Sequence, residues 1–464
     1  MKRYILVGVV IGLLCISLIG AAEQIVLHIA AFKSPGSEAT KKLVSEYLAL
    51  NPKVKDIVID EYPYADLRSK ILTDFIGKTG AYDIVTGDCI WLAEFVAGKH
   101  LRPLEPYFAD PTLWKELGMT PEEYDLDDFV PAVLNYLGRY PTLSPTYVGM
   151  EHQKQFPLYA IPWLTNTETF LYRRDLYEKY VAPLGIPRPG DTPETAWTFD
   201  EFITAAKALT GKPDSPWGMS LQAKRGNSLV WEISNLLGVF GASYFDEKWH
   251  PTINTPEWHK LLETYISFYK VYKVAPPEVL GWEHAEEAGA LAGGYCAMDL
   301  TWNNELNMWI MAPAYSQYWD KWEVAWMVLT EKGKPPYPPS VQGGYFLAIP
   351  VYTSEERARE AFKFIIWLTS KPIHKKYVLM GPTPARMSTM EDPDVLAKWP
   401  WIKLYSKVIQ TPFTRPNCPE WSMIEYNVAI TISKVLTGEW TIDYALADLQ
   451  DRLYYLMERA GYYK

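Results

Sequence analysis

The chain is short of recognisable catalytic and cofactor motifs. Across 464 residues there is no GxGxxG, no Walker A loop, no GxSxG, no HExxH and no CxxC pair. Those absences remove the usual sequence grounds for a dinucleotide fold, a P-loop, a serine-hydrolase elbow or a zinc protease. Cysteine is scarce, with four in all. Cys15 lies near the N-terminus, which leaves Cys89, Cys296 and Cys418, an odd number that permits at most one disulfide. Three small buried thiols is the simpler reading. Positive charge is in deficit. The 45 Lys and Arg face 55 Asp and Glu, a formal charge of −10, which excludes nucleic acid as the expected partner. Seven His are scattered. Beyond the N-terminus no apolar run is long enough to span a bilayer.

What is present begins with a leader. Lys2-Arg3 is a positive n-region and Tyr4–Ile19 an apolar h-region. Gly20-Ala21-Ala22 places small residues where a cut after Ala22 requires them. Residues 1–22 therefore read as a secretory signal peptide. Cys15 follows Leu13-Leu14 without the small residue that precedes a lipid-modified cysteine, which disfavours an anchor there. The remaining chain is long enough for two domains. Aromatics are heavy, at 19 Trp and 32 Tyr. Such rings fill cores, and they also stack on sugar rings.

The first hundred residues read as β-α-β-α-β. Gln24–Ala30, Asp56–Asp60 and Tyr82–Thr86 are strands; the helix between the first two is capped at Ser37 and stopped by Asn51-Pro52. That order predicts a parallel sheet, with ligands beyond the carboxyl ends of the strands. Those ends carry Phe32-Lys33-Ser34, Tyr62-Pro63-Tyr64 and Asp88-Cys89-Ile90-Trp91. The chain then turns on Tyr159–Asn166. Pro162 gives up an amide donor and should not sit in a central strand. A strand that leaves one sheet and enters another satisfies this. Trp163 and Asn166 then fall near the crossing as candidate ligand contacts; the alternative is a core ring and a turn residue. A helical region follows. Val324–Leu329 reads as the strand that carries the chain back. Glu283-His284 with Glu286-Glu287 has metal-like residue types, but reads as solvated helical charge, and no metal site is assigned.

The landmarks resemble the bacterial extracellular solute-binding proteins of ABC importers, in the sugar-binding group related to maltose-binding protein. They are Leu158–Tyr172, Ala196–Phe202, Phe240–Asp246, Asn254-Thr255-Pro256-Glu257, Gly294–Met298, Gly343-Gly344, Ala361–Phe364, Pro384-Ala385-Arg386 and Leu436-Thr437-Gly438. The resemblance implies an α/β, two-lobed periplasmic-binding-protein fold of type II, with discontinuous lobes joined by crossing strands. Residues 23–163 and 326–381 form the N-terminal lobe; 164–325 and 382–464 form the C-terminal lobe. It implies ligand contacts at Phe32, Lys33, Ser34, Tyr64, Asp88, Trp91, Trp163, Asn166, Trp302, Asn303, Gly344, Tyr345, Arg386 and Trp421. It also implies a carbohydrate ligand, an oligosaccharide by expectation, passed by a monomer to membrane permease subunits in the periplasm or at the cell surface. No cofactor and no catalysis are expected. The alternatives are a polyol or peptide ligand, or a secreted glycoside hydrolase, whose paired carboxylates sequence alone does not reveal.

Overall fold

The first strand, β1 (Ile25–Phe32), buries Ile25, Leu27, Ile29 and Ala31 on one face and leaves Val26, His28 and Phe32, on the other, half-buried. The structure is a computed structural model and describes residues 24–141, 156–303, 306–333, 335, 338, 340–410 and 412–463. The leader lies outside these residues. The other strands are β2 (Val54–Tyr62), β3 (Ile84–Asp88), β4 (Ala160–Asn166), β5 (Glu168–Arg173), β6 (Met298–Trp302), β7 (Trp322–Ala325) and β8 (Gly343–Ala348). One sheet has the order β2-β1-β3-β8-β4, the other β6-β5-β7. β1 pairs in parallel with β2 and β3, as the βαβαβ order requires. β8 is antiparallel to both β3 and β4. Each sheet organises one lobe.

Pro162 sits on β4, the edge strand, at a register shift between Pro162 and Leu164. An edge is where a missing N–H costs no ladder bond. Only Thr167 separates β4 from β5, so the chain passes from one sheet to the other almost without a break. Two further passages run beside it. Ser340 donates to the Glu168 carbonyl at 2.7 Å, and Thr167 to the Val341 carbonyl at 3.1 Å. Val341 bridges Phe413, whose amide donates to the Ser340 carbonyl at 2.8 Å. Three stretches of chain thus lie side by side between the lobes.

Two expectations are corrected here. Val324–Leu329 does not carry the chain back. β7 stays in the second sheet, and Leu329 bonds the Trp197 carbonyl, so the return comes later, at Ser340–Gly343. The first helix, Pro35–Leu50, is capped by Ser34, not Ser37, because Pro35 takes the first helical position, where a missing N–H is harmless.

Candidate functional site

Asp88 ends β3 at the carboxyl edge of the first sheet and is buried. Its Oδ2 accepts from the Tyr64 hydroxyl at 2.9 Å, and its Oδ1 from the Cys89 thiol at 3.1 Å. The Arg415 guanidinium lies 3.8 Å from Asp88 and 3.4 Å from the Cys89 Sγ. Burial, then the Asp88 charge, pushes the Cys89 thiol up, which keeps it a neutral donor. Around this group stands an aromatic wall. Phe32 and Tyr345 stack at 4.7 Å and 12°, Tyr64 meets Phe32 edge-on at 6.1 Å, and Trp91 lies 5.3 Å from Tyr64. Each ring sits at or just beyond a strand end, so the sheet fixes their spacing.

A second set of buried rings and acids lies at the second sheet. Trp302 closes β6 and lies 5.1 Å from Trp231, which stacks on His284. A Cβ at Gly343 would come within 2.6 Å of the Trp302 ring, so only glycine lets the returning strand pass so close. Glu168 stands opposite Trp302 in the β5–β6 register, on the same face. Burial raises the Glu168 carboxyl well above its ordinary range; Glu232 adds to this and Arg415 opposes it. Glu232 is raised in the same way, by burial and then Asp299. Glu425 is also raised by burial, against Arg415, and accepts from Asn227 at 2.6 Å. A cavity of about 400 Å³ opens between the lobes here. Tyr64, Arg68 and Trp91 line it from one side, and Arg225, Asn227 and Glu425 from the other. Arg68, Arg225, Asn227 and Glu425 bring hydrogen-bonding groups to this lining, and Tyr64 and Trp91 bring flat apolar faces.

Of the residues singled out in the sequence, Phe32, Tyr64, Asp88, Trp91 and Tyr345 come together on one wall. Asn166, Trp302, Asn303 and Gly344 gather at the passages. Gln342 donates to the Asn166 carbonyl at 3.0 Å, and Asn303 to Thr169 at 2.7 Å. Five residues lie elsewhere. Trp163 is 2 % exposed and donates to Thr40 at 3.1 Å, in the core beneath the Pro35–Leu50 helix, because the register shift after Pro162 turns it to that face. Arg386 is fully buried, bonding the Thr369 and Asp125 carbonyls and Asp128 while stacked 4.0 Å over Phe129. Its charge holds the first lobe together. Ser34 is consumed by its helix cap and Lys33 points to solvent. Trp421 packs edge-on against Tyr244 at 5.4 Å, inside the second lobe.

Sequence reasoning missed Arg415, Glu168, Glu232, Gln342 and Trp231. Glu232 had a signal: it is a lone acid in an apolar helical run, whereas Glu168 stands between two threonines and had none. Arg415, in an irregular loop, had none. Glu287, read as solvated, is fully buried and bonded to Gln222. Among the described residues no group of three or more His, Cys, Asp and Glu suits a metal ion. Cys89, Cys296 and Cys418 are buried and form no disulfide.

Residues 33–375 match the family described as bacterial extracellular solute-binding protein. The mannitol-binding protein of Pseudomonas aeruginosa is 28 % identical over 423 residues, covering 86 % of this chain and 85 % of that protein. A solute-binding protein of Agrobacterium radiobacter, solved with ribitol, superposes with a TM-score of 0.77 at 25 % identity, over 94 % of this chain and all of the other. One from Agrobacterium vitis, solved with D-mannitol, gives 0.76 at 26 % identity, over 95 % and 100 %. The two sheets, the triple passage and the sequence match agree: the chain belongs to the bacterial extracellular solute-binding proteins and has their two-lobed fold.

Proposed function

We propose that the protein is the extracytoplasmic binding component of an ABC importer, and that it holds a small carbohydrate or linear polyol between its lobes. The observation that carries this is the cleft itself. Beside an aromatic wall with Asp88 and Arg415 at its base, a cavity of about 400 Å³ is lined by Tyr64, Arg68 and Trp91 from one lobe and by Arg225, Asn227 and Glu425 from the other. A sugar or polyol offers the matching surface, with apolar C–H groups for the rings and vicinal hydroxyls for the charged groups. The related mannitol and ribitol binders support the small end of the size range, below the oligosaccharide expected from aromatic content. The protein acts as a monomer, binds without turnover and hands its cargo to the permease. Among the described residues no helix is long and apolar enough to cross a membrane, which accords with a role outside it. Calorimetric titration with mannitol, ribitol, single-ring sugars and maltose, followed by recovery of the solute, tests the reading. One-to-one binding of an intact polyol or monosaccharide is expected. Cleaved maltose, or silence across the panel, would overturn it.

A further inference from the structure

The cavity between the lobes carries a positive excess in a chain that is acidic overall. The sequence has a formal charge of −10, yet the charged residues lining the cavity are Arg68, Arg225 and Glu425. Each arginine comes from a different lobe. Arg68 gives its Nε and Nη2 to Glu94, so its charge is matched. Arg225 is not matched. It is exposed, and among the described residues it makes no hydrogen bond, ion pair or ring contact. Lys224, just before it, pairs instead with Glu283 at 3.0 Å. Gly226, just after it, has φ +146 with nothing within 4 Å of a Cβ, so the turn of the backbone, not crowding, calls for glycine.

The acid of the lining does not use this charge. Glu425 accepts from Asn227 at 2.6 Å, and burial raises its carboxyl above the ordinary range, against Arg415. A carboxyl raised in this way repels an anion less than an ordinary one. The bonding inventory points the same way. A guanidinium holds five donors and no acceptor. A hydroxyl brings a donor along with its lone pairs, whereas a carboxylate brings acceptors only and meets a guanidinium with two parallel bonds. One unmatched cation also suits one negative charge. A carboxylate carries one at neutral pH, while a phosphate monoester carries about −1.5 to −2.

We infer that the solute is a sugar acid, an aldonate or uronate, whose carboxylate lies on Arg225 in the inter-lobe cavity while Tyr64 and Trp91 cover its carbon frame. The inference rests on the binding role proposed above and narrows its solute. Calorimetric titration of the purified chain at neutral pH tests it with two pairs: gluconate against sorbitol, and glucuronate against glucose. In at least one pair the acid is expected to bind about tenfold or more tightly than its neutral partner, the scale of a charged hydrogen bond. Added sodium chloride should shrink that advantage, and Arg225→Gln should erase it. Heat from sorbitol, glucose, mannitol or ribitol, with neither acid reaching that advantage, overturns the inference and leaves the binding role standing. No heat from any of these probes overturns both. An acid advantage that survives in Arg225→Gln overturns the placement on Arg225. Glucose 6-phosphate binding more tightly than glucuronate overturns the carboxylate. Circular dichroism checks that the variant folds, and the wild-type pairs decide the acid independently of it.

Discussion

Trp302 and Trp163 are both buried, and each takes its neighbours from the strand that carries it. On the proposed binding role, Trp302→Ala is expected to weaken solute binding by roughly 1–3 kcal/mol, read in a fluorescence or calorimetric titration. Trp163→Ala is expected to leave affinity nearly unchanged while lowering stability by about 3–5 kcal/mol in denaturant, the scale of a truncated core aromatic. Two buried titratable groups give the pH dependence, with opposite signs. Burial, then the Arg386 charge, depresses His374 to about 3 from an ordinary 6.5, and its Nε2 accepts from the Ala385 amide at 2.9 Å. The unfolded chain therefore takes up a proton there between those values and the folded chain does not. Stability falls as pH drops from 6.5 toward 3, and His374→Gln should flatten that fall in melts across the range. Glu168 runs the other way. Its folded value is raised above an ordinary 4.5, so its contribution is present below 4.5 and is lost as pH rises through the folded value. In the solute-free protein, Glu168→Gln should melt higher than wild type at neutral pH and lose that advantage near pH 4.

At the scale of elements, the passages between the lobes are the constrained part. Gly344 has φ +124, and a Cβ there would come within 2.5 Å of the Leu164 carbonyl. Gly344→Ala should therefore cost about 1–3 kcal/mol in chemical denaturation, where an alanine in an ordinary strand position would cost far less. β4 tolerates Pro162 for the converse reason: it is an edge, with no neighbour on the side where the donor is missing. The elements of the first sheet were legible because their signals are local. β1, β2 and β3 and the helices between them follow from alternation and from stop residues. The return passage was not legible. Val324–Leu329 has strand character, and nothing local says which sheet it joins; only its pairing with the second lobe places it there.

For the whole molecule, the family fold implies lobes that close on a bound solute. Among the described residues, a hydrogen bond also joins the two lobes beside the cavity. Glu94, held by Arg68 at 2.6 Å in the first lobe, accepts from Ser422 of the second at 3.4 Å. Ser422→Ala keeps the Arg68–Glu94 pair and removes the bond between the lobes. It is expected to weaken affinity by about 0.5–1.5 kcal/mol, through a smaller closed population, without changing which solutes bind. Small-angle scattering should show the radius of gyration falling when solute is added. An unchanged radius would exclude hinge closure.

The strands and helices of the first sheet, the crossing near Tyr159–Asn166 and the aromatic and acidic strand ends were present in the sequence. Each is set by residues adjacent in the chain: alternation, caps, a proline and the strand ends themselves. Tertiary structure alone decided which of the candidates come together. Trp163 and Trp302 look alike in sequence and both are buried, yet a register shift in β4 packs one onto Thr40 and the end of β6 sets the other against Trp231. Arg386 and Arg415 both lie in loops, yet Phe129 and Asp128 claim the first while the second reaches Asp88. Glu168 meets Glu232, Trp302 and Arg415 only because the second sheet and the third passage bring together positions up to 247 residues apart, and contacts at that separation leave no mark on a single sequence.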